Sequence, residues 1–239
     1  TPYLQNAESD GQLGKDGPVA TPRPGPTPRI PVKTPVPLPS NSEIAYIFYT
    51  NSQDADFRKQ AKYQKGVLTD QGYRVKLVCV DNVTAFSNTW NHMDPKTGAA
   101  AIICHCNGMS LMFENNTATN AISAKGENIK GDPLPSISDL RGPEVALLYL
   151  YACNSGHKDL IGHKGTNVAD AFRDLPNVDI VYGYDGSVGF GVPVLSGDNY
   201  EPRLAIDQRG YFSVYNNFDL DYDWTLPTGL VRYDDTNNN

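Results

Sequence analysis

Short apolar runs alternate with longer amphipathic segments from Glu43 onward, which is the pattern of alternating strands and helices. The run from Ile44 to Tyr49 predicts a buried strand, and the segment after it predicts a helix that ends at the capping residue Gly72. In full, the pattern predicts strands at 44–49, 73–80, 99–104, 145–152 and 178–184, helices at 53–71 and 167–172, and a hairpin of 111–113 with 121–123. Strands that alternate with helices imply an α/β fold, with a mostly parallel sheet flanked by helices on both faces.

The first forty residues differ from the rest, because ten of the eighteen prolines fall there. Proline lacks a backbone donor and favours extended polyproline conformation, so residues 1–40 are predicted to be a largely disordered, semi-rigid linker. Such a linker would tether the following domain to a larger parent protein, and by analogy it suggests a modular, exported bacterial protein. We therefore divide the chain into a linker at 1–40, a domain at 41–217 and an acidic, aromatic C-terminal arm at 218–239.

Charge and hydropathy exclude two classes of partner. The net charge of −7 argues against nucleic acid, because phosphate binding requires clustered Lys and Arg. No apolar run approaches the ~20 residues that a membrane span needs.

The cysteines do not indicate a disulfide scaffold, since four in a chain of this length are too few. A zinc site built from Cys104, His105 and Cys106 is disfavoured, because adjacent residues of a strand point to opposite faces. We expect neither a metal nor a cofactor.

The residues suited to chemistry lie where two predicted strands end. One strand runs into His105-Cys106-Asn107-Gly108, and the other runs into Cys153-Asn154-Ser155-Gly156. In an open parallel sheet, the carboxyl ends of the strands line the crevice where ligands bind. A His and a Cys delivered there by neighbouring strands form a nucleophile with its acid/base partner.

These two motifs resemble the caspase-like cysteine peptidases of clan CD, especially bacterial members and CHAT domains. In those families an apolar strand ends in His and a later strand ends in Ala-Cys-x-Ser-Gly, which matches His105 and the run from Ala152 to Gly156. His105 lies 48 residues before Cys153, close to the ~50 typical of caspases. Residues 167–172 and 180–188 resemble the helix and strand that follow the cysteine, so the resemblance spans about 43–190.

The resemblance implies a caspase-like fold and a Cys-His dyad. Cys153 would attack the scissile carbonyl as a thiolate to form an acyl-enzyme, and His105 would protonate the leaving amine. The backbone N–H of Cys153 and one near Cys106 would hold the oxyanion, with Gly108 in the same turn. The run Asn154-Ser155-Gly156 would shape the turn that exposes the sulfur.

The residue after the histidine departs from the family pattern, which has Gly where this chain has Cys106. A shifted alignment places Asn107-Gly108 on the family's His-Gly, leaves no catalytic His and implies a pseudoenzyme. We favour His105, because the apolar run 111–113 then falls where the family's hairpin begins. His92, His157 and His163 are rival partners; of these, His157 is nearest to Cys153 in sequence, but we expect it to be solvated at the surface.

Substrate specificity is the second departure. In several families of the clan, the residue two positions before the cysteine lines the S1 pocket, and an acidic residue there selects a basic P1. This chain has Tyr151 at that position, so a preference for Arg or Lys does not carry over. Asp185 and Asp179 are the candidates for supplying a charge to the substrate-binding pocket.

Two functions from different classes follow. The leading hypothesis is a cysteine endopeptidase that cuts proteins or itself, motivated by His105 and Cys153 at the two strand ends. The resemblance implies self-cleavage at the basic sites Lys125, Lys130 and Arg141, because members of the family are often activated by cleavage between the two motifs. The alternative is a catalytically inactive caspase-like module that binds a protein. A flavodoxin-like binding domain is disfavoured, because no Gly-rich phosphate loop follows Tyr49.

Overall fold

A six-stranded sheet organises the part of the chain that the structure describes. The computed structural model describes residues 43–51, 57–113, 119–128, 130–157, 167–186, 188–189, 203–204 and 229–234. The predicted linker at 1–40 therefore lies outside the described residues, as does most of the predicted C-terminal arm. The sheet has the strand order β11-β8-β7-β3-β1-β2. Its strands are β1 (Ile44–Tyr49), β2 (Arg74–Cys79), β3 (Thr97–Ile103), β7 (Val145–Tyr151), β8 (Val178–Asp185) and β11 (Gly229–Tyr233).

Five of these six strands run parallel, which confirms the predicted mostly parallel α/β sheet. Their bounds agree with the sequence prediction to within two residues. Four of the five are short, largely apolar runs with buried residues in the sheet, whereas the edge strand β2 alternates exposed and half-buried residues. The exception in direction is β11, which pairs antiparallel with β8. This strand was not predicted; its residues fall inside the segment assigned to the C-terminal arm.

Three described helices accompany the sheet: α1 (Phe57–Asp70), α2 (Val83–Asn91) and α3 (Val168–Arg173). The predicted helices at 53–71 and 167–172 correspond to α1 and α3, and Gly72 takes the left-handed conformation expected of a C-terminal cap, with φ 96°. The helix α2 was not predicted. Its N-cap is Asn82, whose side chain accepts a hydrogen bond from the Ala85 N–H at 2.8 Å.

Aromatic side chains fill the main core, where Trp90 and Phe86 of α2 pack with Phe48 of β1. Phe172 of α3 lies against Trp90, with ring centroids 5.3 Å apart. These contacts fix α2 and α3 on the sheet. None of the described helices is both long enough and apolar enough to cross a membrane.

Two smaller sheets extend the fold near the carboxyl ends of the parallel strands. The first joins β4 (His105–Cys106), β5 (Ser110–Met112) and β6 (Ala121–Ser123), so the predicted hairpin of 111–113 with 121–123 is confirmed. The second pairs β9 (Val188–Gly189) with β10 (Arg203–Leu204). A single 3-10 turn, Ile137–Asp139, precedes β7.

Candidate active site

His105 and Cys153 occupy equivalent positions at the carboxyl ends of two neighbouring strands. The strands β3 and β7 pair in parallel, and the last partners in their register are Ile103 and Tyr151. His105 and Cys153 each follow two residues beyond that pair. The spacing of 48 residues between them is thus the offset of the β3–β7 register itself. Because β3 and β7 are paired in parallel, the register brings both residues to the same carboxyl edge of the sheet.

Cys153 begins a tight turn in which the N–H groups of the next four residues all donate hydrogen bonds. Asn154 has a φ of 57°, the left-handed conformation that Asn tolerates better than most other residues. Its N–H donates to the Gly186 carbonyl at 2.8 Å, and the Gly156 N–H donates to the Tyr184 carbonyl at 2.9 Å. Within the turn, Ser155 and His157 donate to the carbonyls of residues 152 and 154. The turn is therefore fastened to the end of β8.

The side chain of Ser155 bridges β7 and β8 beyond the point where their backbone hydrogen bonds end. The last residues paired between these strands are Tyr149 and Tyr182. Beyond them, the Ser155 hydroxyl accepts the Tyr184 N–H at 3.0 Å and donates to the Leu150 carbonyl at 3.3 Å. The side chain is fully buried, so these two bonds satisfy groups that water does not reach.

The antiparallel strand β11 supports the turn from its other side. The hydroxyl of Tyr233 donates a short hydrogen bond to the Gly156 carbonyl and accepts one from the Asn167 amide at 3.2 Å. The Ala169 N–H at the start of α3 donates to the Ser155 carbonyl at 2.9 Å. Sequence reasoning missed Tyr233 and Asn167, because their role depends on strand β11, which carries no motif.

Cys153 is partly exposed, and its sulfur lies against strand β9. The Val188 N–H donates to Cys153 Sγ at 3.3 Å, and the Val188 carbonyl oxygen lies 4.0 Å from the same sulfur. A backbone N–H directed at a sulfur favours the thiolate over the thiol. The nucleophile candidate therefore has a built-in donor that sequence reasoning did not identify.

His105 lies in β4 and is partly exposed. Its ring packs edge-on against Phe57, the first residue of α1, with ring centroids 4.9 Å apart. The neighbouring residues Cys104 and Cys106 are buried, and burial raises the pKa of both thiols well above the usual range. Of the three cysteines at this edge, Cys153 alone combines exposure with a donor at its sulfur.

The residues predicted to form the oxyanion turn are already hydrogen-bonded to one another. The Gly108 N–H donates to Cys106 Sγ at 3.1 Å, and the Gly108 carbonyl accepts the Val168 N–H at 2.9 Å. The Asn107 N–H donates to the Ser110 carbonyl at 3.3 Å. Gly108 has a φ of 90°, so a residue without a Cβ is required at this point of the turn.

His157 is buried, at 6% exposure, rather than solvated as the sequence analysis expected. Its Nδ1 makes a short hydrogen bond with Asp185 Oδ1. The expectation was wrong because Asp185, the last residue of β8, is 28 positions away along the chain. Asp185, predicted to bind substrate, is thus engaged by a histidine of the cysteine turn.

Tyr151 belongs to a stack of tyrosines along β7 and β8. Its ring is parallel to that of Tyr149, with centroids 6.0 Å apart, and Tyr184 lies 6.4 Å from it. Burial is the main cause that raises the pKa of Tyr151, followed by the proximity of Tyr149. Asp179, the other candidate for a charged pocket, lies near the amino end of β8, about 20 Å along the strand from Asp185.

The remaining histidines do not compete with His105 in the described structure. His92 caps α2, and its Nδ1 lies 2.7 Å from the Asn88 carbonyl oxygen. His163 lies outside the described residues. Within the described ranges, no group of three or more His, Cys, Asp or Glu side chains is arranged to hold a metal ion.

Comparison with known proteins does not assign the chain to a family. No protein-family model matches the chain, and no curated protein is significantly similar to it.

Proposed function

We propose that the protein is a caspase-like cysteine endopeptidase in which Cys153 is the nucleophile and His105 is its acid/base partner. The equivalent placement of the two residues beyond the β3–β7 register is the observation that carries the proposal. The caspase-like architecture, with helices on both faces of the sheet, is part of the same proposal. It is supported by the mostly parallel sheet and by the order in which the two motifs occur.

The proposed reaction uses residues at the carboxyl edge alone. The Cys153 thiolate forms a bond from Sγ to the scissile carbonyl carbon, and the carbon–nitrogen bond breaks as His105 protonates the leaving amine. Water, deprotonated by His105, then hydrolyses the thioester and releases the thiol. By resemblance to the caspase-like family, we assign the oxyanion to the backbone N–H of Cys153.

Cleavage profiling of a diverse peptide library by mass spectrometry tests this function, before and after limited proteolysis to release a zymogen. We expect cleavage by the wild-type protein and a loss of at least about 100-fold in Cys153→Ala and His105→Ala. Cys79→Ala is the matched control, because Cys79 is exposed at the end of β2. Cleavage that persists unchanged in Cys153→Ala would disprove the proposal.

A catalytically inactive protein-binding module is the second candidate. The contact between Val188 and Cys153 Sγ favours it, since strand β9 lies beside the sulfur that a substrate must reach. In that case iodoacetamide would alkylate Cys153 no faster than an ordinary exposed thiol, and no peptide would be cut. Selective alkylation of Cys153 would favour the peptidase.

A further inference from the structure

Two stretches of backbone are tied together beside the nucleophile candidate. The cysteine turn, residues 153–157, lies against the end of β8 and the start of β9. The Asn154 N–H donates to the Gly186 carbonyl at 2.8 Å, and the Val188 N–H donates to Cys153 Sγ at 3.3 Å. The position of β9 relative to the turn therefore decides whether a donor reaches the sulfur.

A pair of side chains joins the same two stretches. His157 is the last residue of the turn, Asp185 is the last residue of β8, and His157 Nδ1 makes a short hydrogen bond with Asp185 Oδ1. The two side chains are 7% and 16% exposed, so water competes little for this bond. Because a carboxylate only accepts hydrogen bonds, Nδ1 carries the proton and donates.

The chain changes direction directly after this pair. Strand β8 is paired with β11 on its outer edge as far as Asp185, but its inner pairing with β7 ends at Tyr182. Gly186 has a φ of 127°, which favours glycine, and β9 begins two residues later at Val188. The side-chain pair thus fixes the inner side of β8 to the turn, three residues before the donor at the sulfur.

We propose that His157 and Asp185 are a positioning pair, which holds the Val188 N–H on Cys153 Sγ and so keeps this sulfur reactive. The inference rests on the proposed function in taking Cys153 as the nucleophile. A donor directed at the sulfur stabilises the thiolate more than the thiol, so loss of the pair should lower the thiolate fraction. Neither side chain has to reach the substrate for this role.

The charge of Asp185 alone predicts the opposite effect. A carboxylate near a sulfur disfavours the thiolate, so its removal would by itself make Cys153 more reactive. The neighbouring thiols of Cys104 and Cys106 are buried, and burial raises the pKa of both, so they add no charge at neutral pH. His105, at the same edge, is retained in every variant below. The direction of the change therefore separates positioning from charge.

The pH dependence of Cys153 alkylation by iodoacetamide, followed by peptide mass spectrometry, tests the inference. The rate at pH 7 reports the thiolate fraction, and the plateau at high pH reports access to the sulfur. The wild-type rate at pH 7 should exceed that in denaturant. In Asp185→Ala and His157→Leu, it should fall at least about threefold, while the plateau stays within about twofold of wild type.

Conservative variants separate the hydrogen bond from the charge. Asp185→Asn keeps an acceptor oxygen without the charge, and His157→Asn keeps an N–H donor. Both should keep the rate at pH 7 within about twofold of wild type or above it. Asp179→Ala is the matched control, because it removes an exposed carboxylate at the amino end of the same strand. It should change neither the rate at pH 7 nor the plateau.

Amide hydrogen exchange measures the position of the Val188 N–H without any reaction at the sulfur. This amide should exchange faster in Asp185→Ala and in His157→Leu, whereas the Val181 amide, in the paired part of β8, should be unchanged. If a single variant does not fold, the double variant His157→Leu/Asp185→Ala takes its place, since it leaves neither partner buried and unpaired. It should show the same loss of reactivity.

The outcomes separate this inference from the peptidase function. A faster or unchanged rate at pH 7 in Asp185→Ala overturns the positioning pair, as does a changed plateau alone, which would show that β9 covers the sulfur. A wild-type rate no higher than in denaturant also overturns it, because there is then no activation to lose. The expected alkylation changes, in a protein that cleaves no peptide, would overturn the peptidase function and leave the positioning pair standing.

Discussion

Gly156 and Gly183 meet backbone to backbone beneath the cysteine turn. A Cβ on Gly156 would lie 2.9 Å from the Gly183 carbonyl carbon, and a Cβ on Gly183 would lie 2.9 Å from the Gly156 nitrogen. This approach lets the Gly156 N–H reach the carbonyl of Tyr184, and it holds the turn against β8. Glycine is needed at both positions because no side chain fits between the two backbones.

Gly183→Ala is therefore expected to destabilise the protein by about 1–3 kcal/mol, because the added methyl group overlaps backbone that has little room to shift. Gly66→Ala is the control, since Gly66 is exposed in α1 and a Cβ there would meet nothing within 4 Å. That change should stabilise by about 0.5–1 kcal/mol, as Ala does in a helix interior. Urea denaturation measures the unfolding free energy of both variants. Equal effects of the two substitutions would refute the close approach of Gly156 and Gly183.

Ser155→Ala should cost about 1–3 kcal/mol of unfolding free energy, because it leaves the buried Tyr184 N–H and the Leu150 carbonyl without their partner. Amide hydrogen exchange gives the local readout: the Tyr184 amide should exchange faster in the variant. The amide of Val181, in the paired part of β8, is the internal control. Unchanged protection at Tyr184 would contradict the bridging role of the hydroxyl.

Tyr233→Phe should cost about 1–2 kcal/mol, because it removes the hydroxyl that joins the Gly156 carbonyl to the Asn167 amide. The ring itself stays, so the packing of β11 is kept. If the hydroxyl positions the cysteine turn, kcat on any cleaved peptide should fall more than KM rises. Leu230→Ala, an exposed change in the same strand, should affect neither parameter.

The parallel strands could be predicted from sequence because their apolar or alternating residue patterns are local signals, visible in each segment by itself. The position of His105 and Cys153 just beyond the carboxyl ends of β3 and β7 followed from the same reasoning, since each comes directly after a predicted strand. The helix α2 could not be predicted in this way: its Thr, Ser and Asn residues are poor helix formers. What forms it is tertiary, namely the burial of Phe86 and Trp90, which lie four residues apart on one face. The capping residue Asn82 before this pair was the available signal.

Contacts between distant segments account for the rest of what the sequence did not predict. The pair of His157 with Asp185 depends on how the turn closes on β8, which no local pattern encodes. Strand β11 is a run of five residues that becomes a strand only by pairing with β8. Such pairings depend on tertiary structure, and local propensity carries little information about them.

The raised pKa of Tyr149 predicts that the protein loses stability at alkaline pH. Burial, followed by the proximity of Tyr182, raises the pKa of Tyr149 to about 12. The folded state thus holds this proton more tightly than the unfolded chain, so the contribution is complete below about pH 10 and is lost as pH rises toward 12. Denaturation at pH 8 and pH 11 should show a smaller loss in Tyr149→Phe than in the wild type, by up to about 1–2 kcal/mol. An equal loss in both proteins would show that the raised pKa of Tyr149 does not contribute to stability.

Two of the four cysteine thiols should react with an alkylating reagent in the native protein, and the other two should be protected. Cys79 is exposed and Cys153 partly exposed, whereas Cys104 and Cys106 are buried and burial raises the pKa of both. Because the thiolate is the reacting species, iodoacetamide at pH 8 should label only Cys79 and Cys153 in the native protein. If His105 and the Val188 N–H activate Cys153, it should react at least about tenfold faster in the native protein than in denaturant, and His105→Ala should remove that advantage. Cys79 is not the reference for this comparison, because partial burial and Asp81 raise the pKa of its thiol. Peptide mass spectrometry over a time course measures all four rates, with labelling in denaturant as the reference. Native labelling of Cys104 or Cys106 would show that this edge of the sheet opens in solution.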